Sequence, residues 1–485
     1  MESEDSIFKK IENSREEFGV LLTAAMKDGL TEVAKAVASK KYIGTYYEWP
    51  SISLRENGLP NLSSSSFQGA KEYRKCFGTK EGEINESDIA SFGKFLEFVT
   101  SNEDLESRFI LEQWKEIKDD KFPDFRTIFI HSIVKDAVER YIHANDSFEY
   151  DEDKATDVIR DIQNFIYLDT LPIDIVIPIL FVNFDFDSYA LSEVIEVRRL
   201  TEKEHLARYN IKSYNVSVHD SVLSSATHAL VLKGWEVKNS PCSMDFNALH
   251  NIRAYPIERI NKFFASIRLV KDISTGYAQV FSMAKSWISH CKADLPHIVG
   301  TTTRSYPAFF EDYYWNTESV PLVANNEMDT ISKIFGLLSD SEENSIDLSV
   351  KRLNQCLVRD SEEDSVLDAT IALEALLSDD GNQEMTHKLA MRVGALVNLD
   401  SSFNKTPQQA FKDIKSIYAY RSAIVHGSKK LDKKRVIKLE DNNETTTHSL
   451  AVDYLRFVLK VLLENPKYRD PKLVDSELLL GGTNA

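Results

Sequence analysis

Phe411-Lys-Asp-Ile-Lys-Ser-Ile-Tyr-Ala-Tyr-Arg-Ser-Ala-Ile-Val-His426 places Phe411, Ile414, Ile417 and Tyr418 at helical intervals, with Lys412, Asp413, Lys415 and Ser416 on the other side. The spacing predicts an amphipathic helix. Its apolar stripe runs on to Arg421 and then to Ile424 and Val425. A guanidinium therefore stands on a face that should be packed, where an unpaired charge is costly. His426 follows, and then Gly427. At about 100° per residue, Arg421 and His426 stand about 140° apart around the helix. They converge only through the arginine stem, a bend at Gly427, or a second copy of the helix.

Such a pair suits the cleavage of a phosphodiester. A neutral imidazole with an ordinary pKa of about 6.5 can take a proton from a ribose 2′-hydroxyl or, once charged, protonate a leaving oxygen. The guanidinium can hold the negative charge that gathers on the phosphoryl oxygens. This chemistry calls for no metal and no cofactor. An R-x-x-x-x-H spacing alone arises by chance in a chain of this length, so the weight comes from context. The pair ends a long amphipathic helix, and Lys429, Lys430, Lys433, Lys434, Arg435 and Lys438 follow, interrupted by Asp432. Lys429, Lys430, Lys433, Lys434 and Arg435 are candidates to guide a polyanion toward His426; the alternative is a solvated loop.

The block from Ile346 to Leu463 resembles a HEPN domain of the Apea-like kind found in bacterial phage-defence and abortive-infection proteins. The resemblance rests on Asp368-Ala-Thr-Ile-Ala-Leu-Glu374-Ala-Leu-Leu377, Glu384-Met-Thr-His-Lys-Leu-Ala-Met-Arg392 and Ile417-Tyr-Ala-Tyr-Arg421-Ser-Ala-Ile-Val-His426-Gly427, in that order. It implies that R-x-x-x-x-H is a ribonuclease signature with Arg421 and His426 catalytic and the polar Ser422 beside them. It also implies an antiparallel helical bundle that dimerises, so that each Arg421 can serve beside the partner's copy of His426. Some members controlled by nucleotidylation carry a tyrosine two residues beyond the histidine. Here that residue is Ser428, so such regulation is not expected.

Read from its residues, the C-terminal third is helical. Val366, Leu367, Ile371, Leu373 and Leu377 form one dense run; Leu389, Val393, Leu396 and Val397 a second stripe; Tyr454, Phe457, Val458, Val461 and Leu462 a third. Residues 378–382, 398–402 and 441–447 read as connections, and Pro466 with Pro471 ends the last helix. Helices joined this way make a bundle over residues 325–475, followed by a tail at 476–485. Glu374 interrupts the Ala-Leu-Glu-Ala-Leu-Leu run and is the candidate to pair Arg421 or orient His426. Asp368 and Arg392 read as surface charges or salt-bridge partners, with the same supporting role as the alternative.

Residues 1–320 read as an α+β sensing or regulatory region, mainly helical over about 1–170 and strand-rich over about 171–320. Residues 6–40, Phe129 to Ile142, Ala155 to Ile166 and Ile260 to Val270 predict helices. Ile173 to Phe186, Val194 to Arg198, Ala229 to Leu232 and Tyr277 to Phe281 predict strands. Gly44, Pro50 and the serine run 61–66 mark loops. Together with the bundle the fold class is α+β.

Composition bounds the rest. A 485-residue chain with 42% hydrophobic residues is globular and has more than one core. Its 76 acids against 58 Lys and Arg argue against a protein that coats nucleic acid, yet leave room for a local positive cleft. Cys76, Cys242, Cys291 and Cys356 show no disulfide or C-x-x-C framework, as expected of reduced thiols in the cytoplasm. The acidic start and the lack of a long apolar run disfavour secretion and membrane spanning. Asp185 with Asp187 reads as a strand-end turn rather than a metal site, and His290, Cys291 and His387 lack spaced ligand partners. No Walker loop and no G-x-S-x-G elbow is present. The expectation is a metal-independent endoribonuclease acting on RNA as a homodimer, with a phage-derived trigger. The alternative is a noncatalytic module that binds RNA or a protein and uses Arg421 in a buried ion pair.

Overall fold

The computed structural model describes residues 4–47, 49–65, 69–102, 105, 125–211, 216–239, 245–313, 315, 318–379, 384–428, 431–438 and 444–481. The chain is α+β and divides into two compact units built from separated stretches. The first comprises residues 1–178, 190–255 and 279–303; the second comprises 179–189, 256–278 and 304–485. A single cut near residue 320 is not how the contacts divide, because 179–189, 256–278 and 304–320 group with the C-terminal helices.

In the first unit, α1 (Glu4–Ala38), α2 (Phe92–Ser101), α3 (Phe125–Asn145) and α4 (Glu152–Tyr167) surround one apolar core. Phe18, Leu22, Met26, Phe95, Val138, Tyr141 and Ile162 lie inside it. α4 starts where Asp151 accepts the Lys154 amide, the usual way an exposed carboxylate closes an open helix end. Pro50 and residues 61–65 lie in strands, which corrects the reading of them as loops; residue 66 lies outside the described residues. β1 (Trp49–Leu54) and β2 (Pro60–Ser65) pair antiparallel with Ile52 opposite Leu62. Buried Leu59 and Leu62 anchor β2, and Ser51 and Ser63 bond hydroxyl to hydroxyl across the pair. That cross-strand contact is a role serine composition alone does not reveal.

The strand-rich part is one six-stranded sheet. With β3 (Thr170–Leu180), β4 (Ser188–Ser192), β5 (Ile195–Arg199), β6 (Ala226–Lys238), β7 (Tyr277–Ala284) and β8 (Ile298–Ser305), the order is β4-β5-β6-β3-β7-β8. β3 is buried from Ile173 onward, as expected of a β-branched run covered on both faces. β6 is buried through Leu232 and then alternates, its far half having one face in water. The short helices α5 (Glu202–Arg208) and α6 (Asp220–Ser224) complete this unit.

The second unit holds α7 (Ile257–Val270), α8 (Asn325–Ser339), α9 (Asn344–Val358), α10 (Glu362–Leu377), α11 (Met385–Leu396), α12 (Pro407–Val425) and α13 (Thr447–Glu464). Their apolar stripes share one core containing Leu353, Leu373, Val393, Ile414, Ile417, Tyr454 and Val458. Between α12 and α13 lies a small hairpin, β9 (Val436–Lys438) with β10 (Glu444–Thr446).

Two buried charges fix helix positions. Asp368, 3% exposed, accepts from Arg352 of α9 and from Arg359 just beyond it, tying α9 to α10. Arg392, 1% exposed, donates to the Leu377 carbonyl at 2.6 Å, to Asp379 at 2.7 Å and with two nitrogens to Asp475 at 2.8 and 2.6 Å. Its donors are spent on structure, so neither residue serves the Arg421 and His426 pair. Among the described residues, no helix is long and apolar enough to cross a membrane.

Candidate functional site

α12 is built to deliver a side chain at its C-terminal end. Thr406 caps it: its hydroxyl accepts the Gln409 amide while the Gln409 side chain takes the Thr406 amide, and Pro407 supplies a preset first turn. At the other end Ser428 donates its amide to the Ala423 carbonyl at 2.9 Å, and Gly427 donates to Ile424 at 3.2 Å. Gly427 has φ +58°. This is a Schellman closure with glycine in the left-handed position. It makes His426 the last residue before the chain turns away, and its imidazole is exposed.

Arg421 sits one turn further back, half-buried, on the side of α12 that faces α10. Its Nη2 lies 3.6 Å from Glu374 Oε1, too long for a hydrogen bond but close enough for charge attraction. Its Nε is buried and has no hydrogen-bond partner among the described residues. Glu374 also interacts with the Tyr418 hydroxyl, which reaches the Thr370 carbonyl at 3.4 Å. Thr370 and Glu374 are four apart on α10, while Tyr418 and Arg421 are three apart on α12, so matching faces meet. Burial pushes the Tyr418 phenol up, and the Glu374 charge adds to this while Arg421 opposes it. The carboxylate thus stands by a guanidinium that keeps at least its Nε donor unspent among the described residues, and an oxyanion is a natural acceptor for it.

Of the other expected residues, Ser422 is exposed, and its carbonyl accepts the His426 amide at 3.1 Å. Lys429 and Lys430 lie outside the described residues. Lys434 donates to the Ala419 carbonyl at 3.0 Å, and Arg435 pairs with Glu362 at 2.8 Å, holding that carboxyl below its usual range. Both are therefore engaged within the chain, although the Arg435 pair is exposed and screened by solvent. Lys433 is exposed and has no ion-pair partner among the described residues.

Two readings of the stripe need correction. Asp413, expected on the polar side, is buried and accepts from Tyr454 at 2.8 Å. Val425, expected on the packed side, is 55% exposed. Sequence reading also missed Tyr418 as a polar contact, because it was counted only as an apolar stripe position.

The discounted residues have local partners. Asp185 accepts the Asn325 amide at the start of α8. His290 contacts Arg74 and lies 3.6 Å from Asp136. His387 stands edge-on to Phe411. Cys76, Cys291 and Cys356 are buried free thiols, burial pushing each thiol up; Cys242 lies outside the described residues. Among the described residues no cluster of His, Cys, Asp and Glu is placed to hold a metal ion. No family model, curated protein or solved structure matches this chain.

Proposed function

We propose that this protein is a metal-independent endoribonuclease of the HEPN type, in which Arg421 and His426 cleave RNA using the substrate's 2′-hydroxyl. The observation that carries the reading is an exposed imidazole at the end of α12 and, five residues earlier on the same helix, a guanidinium whose buried Nε has no hydrogen-bond partner among the described residues. His426 removes the 2′-hydroxyl proton and returns a proton to the departing 5′-oxygen; Arg421 holds the phosphoryl charge. Glu374 positions Arg421, and Tyr418 positions Glu374. Ser422, exposed beside Arg421, serves as a further polar contact. Lys429, Lys430 and Lys433 receive the backbone of the RNA, joined by Lys434 and Arg435 when a phosphate displaces their internal partners. A homodimer through the bundle brings two motifs into one cleft, and the role in the cell is a cytoplasmic abortive-infection effector released by a phage-derived trigger.

The competing reading, a noncatalytic module that binds RNA or a protein, draws on the Glu374 contact, which gives Arg421 a structural partner. The two diverge in one experiment. His426→Ala and Arg421→Ala each abolish cleavage by the purified chain in EDTA, while circular dichroism and sedimentation stay unchanged. Undiminished cleavage by the His426→Ala protein overturns the assignment, and RNA that binds but stays full length with the unmodified chain favours the module.

A further inference from the structure

A second site lies in the first unit, where residues 77–92 close over α3. Phe77, Ile84, Ile89, Phe92 and Val134 form the apolar part of a pocket of about 70 Å³, His131 and Lys135 supply donors, and Glu86 brings one carboxylate to its lining. At roughly 10–15 Å³ per water-sized probe it has room for about five waters, the size of a small organic acid. The two donors stand four apart on α3, on one face.

Neither donor makes an aligned hydrogen bond among the described residues. Among the described residues the Lys135 ammonium has no ion-pair or hydrogen-bond partner, and burial followed by the Arg74 charge pushes its pKa down. His131 Nε2 lies 2.8 Å from Glu86 Oε1 but makes no aligned hydrogen bond, and it is shut off from solvent. Burial keeps this imidazole neutral despite Glu86, so it has one N–H to give. A half-buried ammonium and a buried ring nitrogen at a pocket whose walls are largely apolar, with Glu86 at its lining, leave a cost that an entering anion relieves.

The surrounding charge selects the anion. Glu83, Glu86 and Asp136 act on Lys135. Asp136 is matched by Arg74 at 3.2 Å, which leaves the carboxylates of Glu83 and Glu86 to repel a second negative charge. The apolar walls favour a short hydrocarbon body.

We propose that this pocket binds a short-chain aliphatic monocarboxylate, its carboxylate held by Lys135 and His131 and its chain against Phe77, Ile89 and Phe92. The inference does not depend on the nuclease reading. Titration calorimetry of the full chain with sodium butyrate tests it, with butyramide and inorganic phosphate as comparisons. A ligand of this size is expected to bind with Kd on the order of 1 mM, with butyramide and phosphate at least about tenfold weaker. Lys135→Met keeps the stem and removes the charge. It should weaken butyrate at least about tenfold while raising the melting temperature, since an unmatched half-buried charge is gone. Absence of butyrate binding, butyramide binding as well as butyrate, or unchanged affinity in a folded Lys135→Met protein overturns the proposal. The comparison of butyrate with butyramide uses the unmodified chain, so it decides even where the variant misfolds.

Discussion

Arg421, placed in the proposed site, and Arg392 differ in burial and in how their donors are used. Arg392 is sealed and spends its nitrogens on Leu377, Asp379 and Asp475. Arg421 is half-exposed, touches Glu374 only at 3.6 Å and keeps a buried Nε with no acceptor. Exposed or half-exposed pairs contribute about 0–1 kcal/mol, so Glu374→Gln should leave the melting temperature almost unchanged. Loss of the positioning carboxylate should still lower single-turnover cleavage by roughly 10²-fold. Cleavage unaffected by this substitution assigns Glu374 to structure alone. Glu374 was legible in the sequence because a carboxylate breaks an apolar run. The partners of Lys434 and Arg435 were not, since Glu362 lies far away in the chain and the Ala419 carbonyl carries no side-chain signal. Asp413 was misread because periodicity assigns a carboxylate to water and cannot anticipate the Tyr454 hydroxyl that satisfies it.

At the level of the element, α12 was readable end to end. Thr406-Pro-Gln-Gln409 announces its start and Gly427 its stop, both through backbone groups that must be satisfied locally. The hairpin at 49–65 was hidden, because its serines pair across strands and its buried side is marked by little more than Leu59, Leu62 and two prolines, Pro50 and Pro60, among the described residues. Gly427 offers a clean test of how α12 places His426. A Cβ there would meet nothing within 4 Å, so the cost of a substitution is that of the left-handed backbone alone. Gly427→Ala should lower stability by about 1 kcal/mol, Gly427→Asn by less, and Gly427→Val by more. Urea unfolding checks the order; equal costs for Asn and Val would contradict the closure described here.

For the whole molecule, the α+β class and the helical character of the C-terminal third followed from periodicity, whereas the division of the chain did not. Residues 256–278 belong with the second unit, a grouping set by side chains far apart in sequence. Each unit carries its own core, and the first also carries the buried His205 and the half-buried His297. Burial, then the Arg208 charge, holds His205 down at about 2; burial, then His290, holds His297 down at about 4. Both stay neutral in the native state while the unfolded chain takes up protons below about 6.5. Their contribution is therefore fully present above that pH and is lost as pH falls toward about 4 for His297 and about 2 for His205. Each pH unit in that window costs about 1.4 kcal/mol per histidine. His205→Asn, which keeps an acceptor for Arg208, should flatten the acid limb of melting temperature against pH; an unchanged slope would show that His205 titrates normally.

On the proposed nuclease reading, the formal charge of −18 would repel RNA from most of the surface and leave its approach to local basic segments. The most direct measurement of the central claim is the chemistry of the RNA ends left by the unmodified chain in EDTA. Attack by the substrate's own 2′-hydroxyl predicts 2′,3′-cyclic phosphates or their hydrolysis products opposite 5′-hydroxyls, all absent with His426→Ala. Fragments bearing 5′-phosphates and 3′-hydroxyls, or RNA that remains intact under every condition, would contradict it.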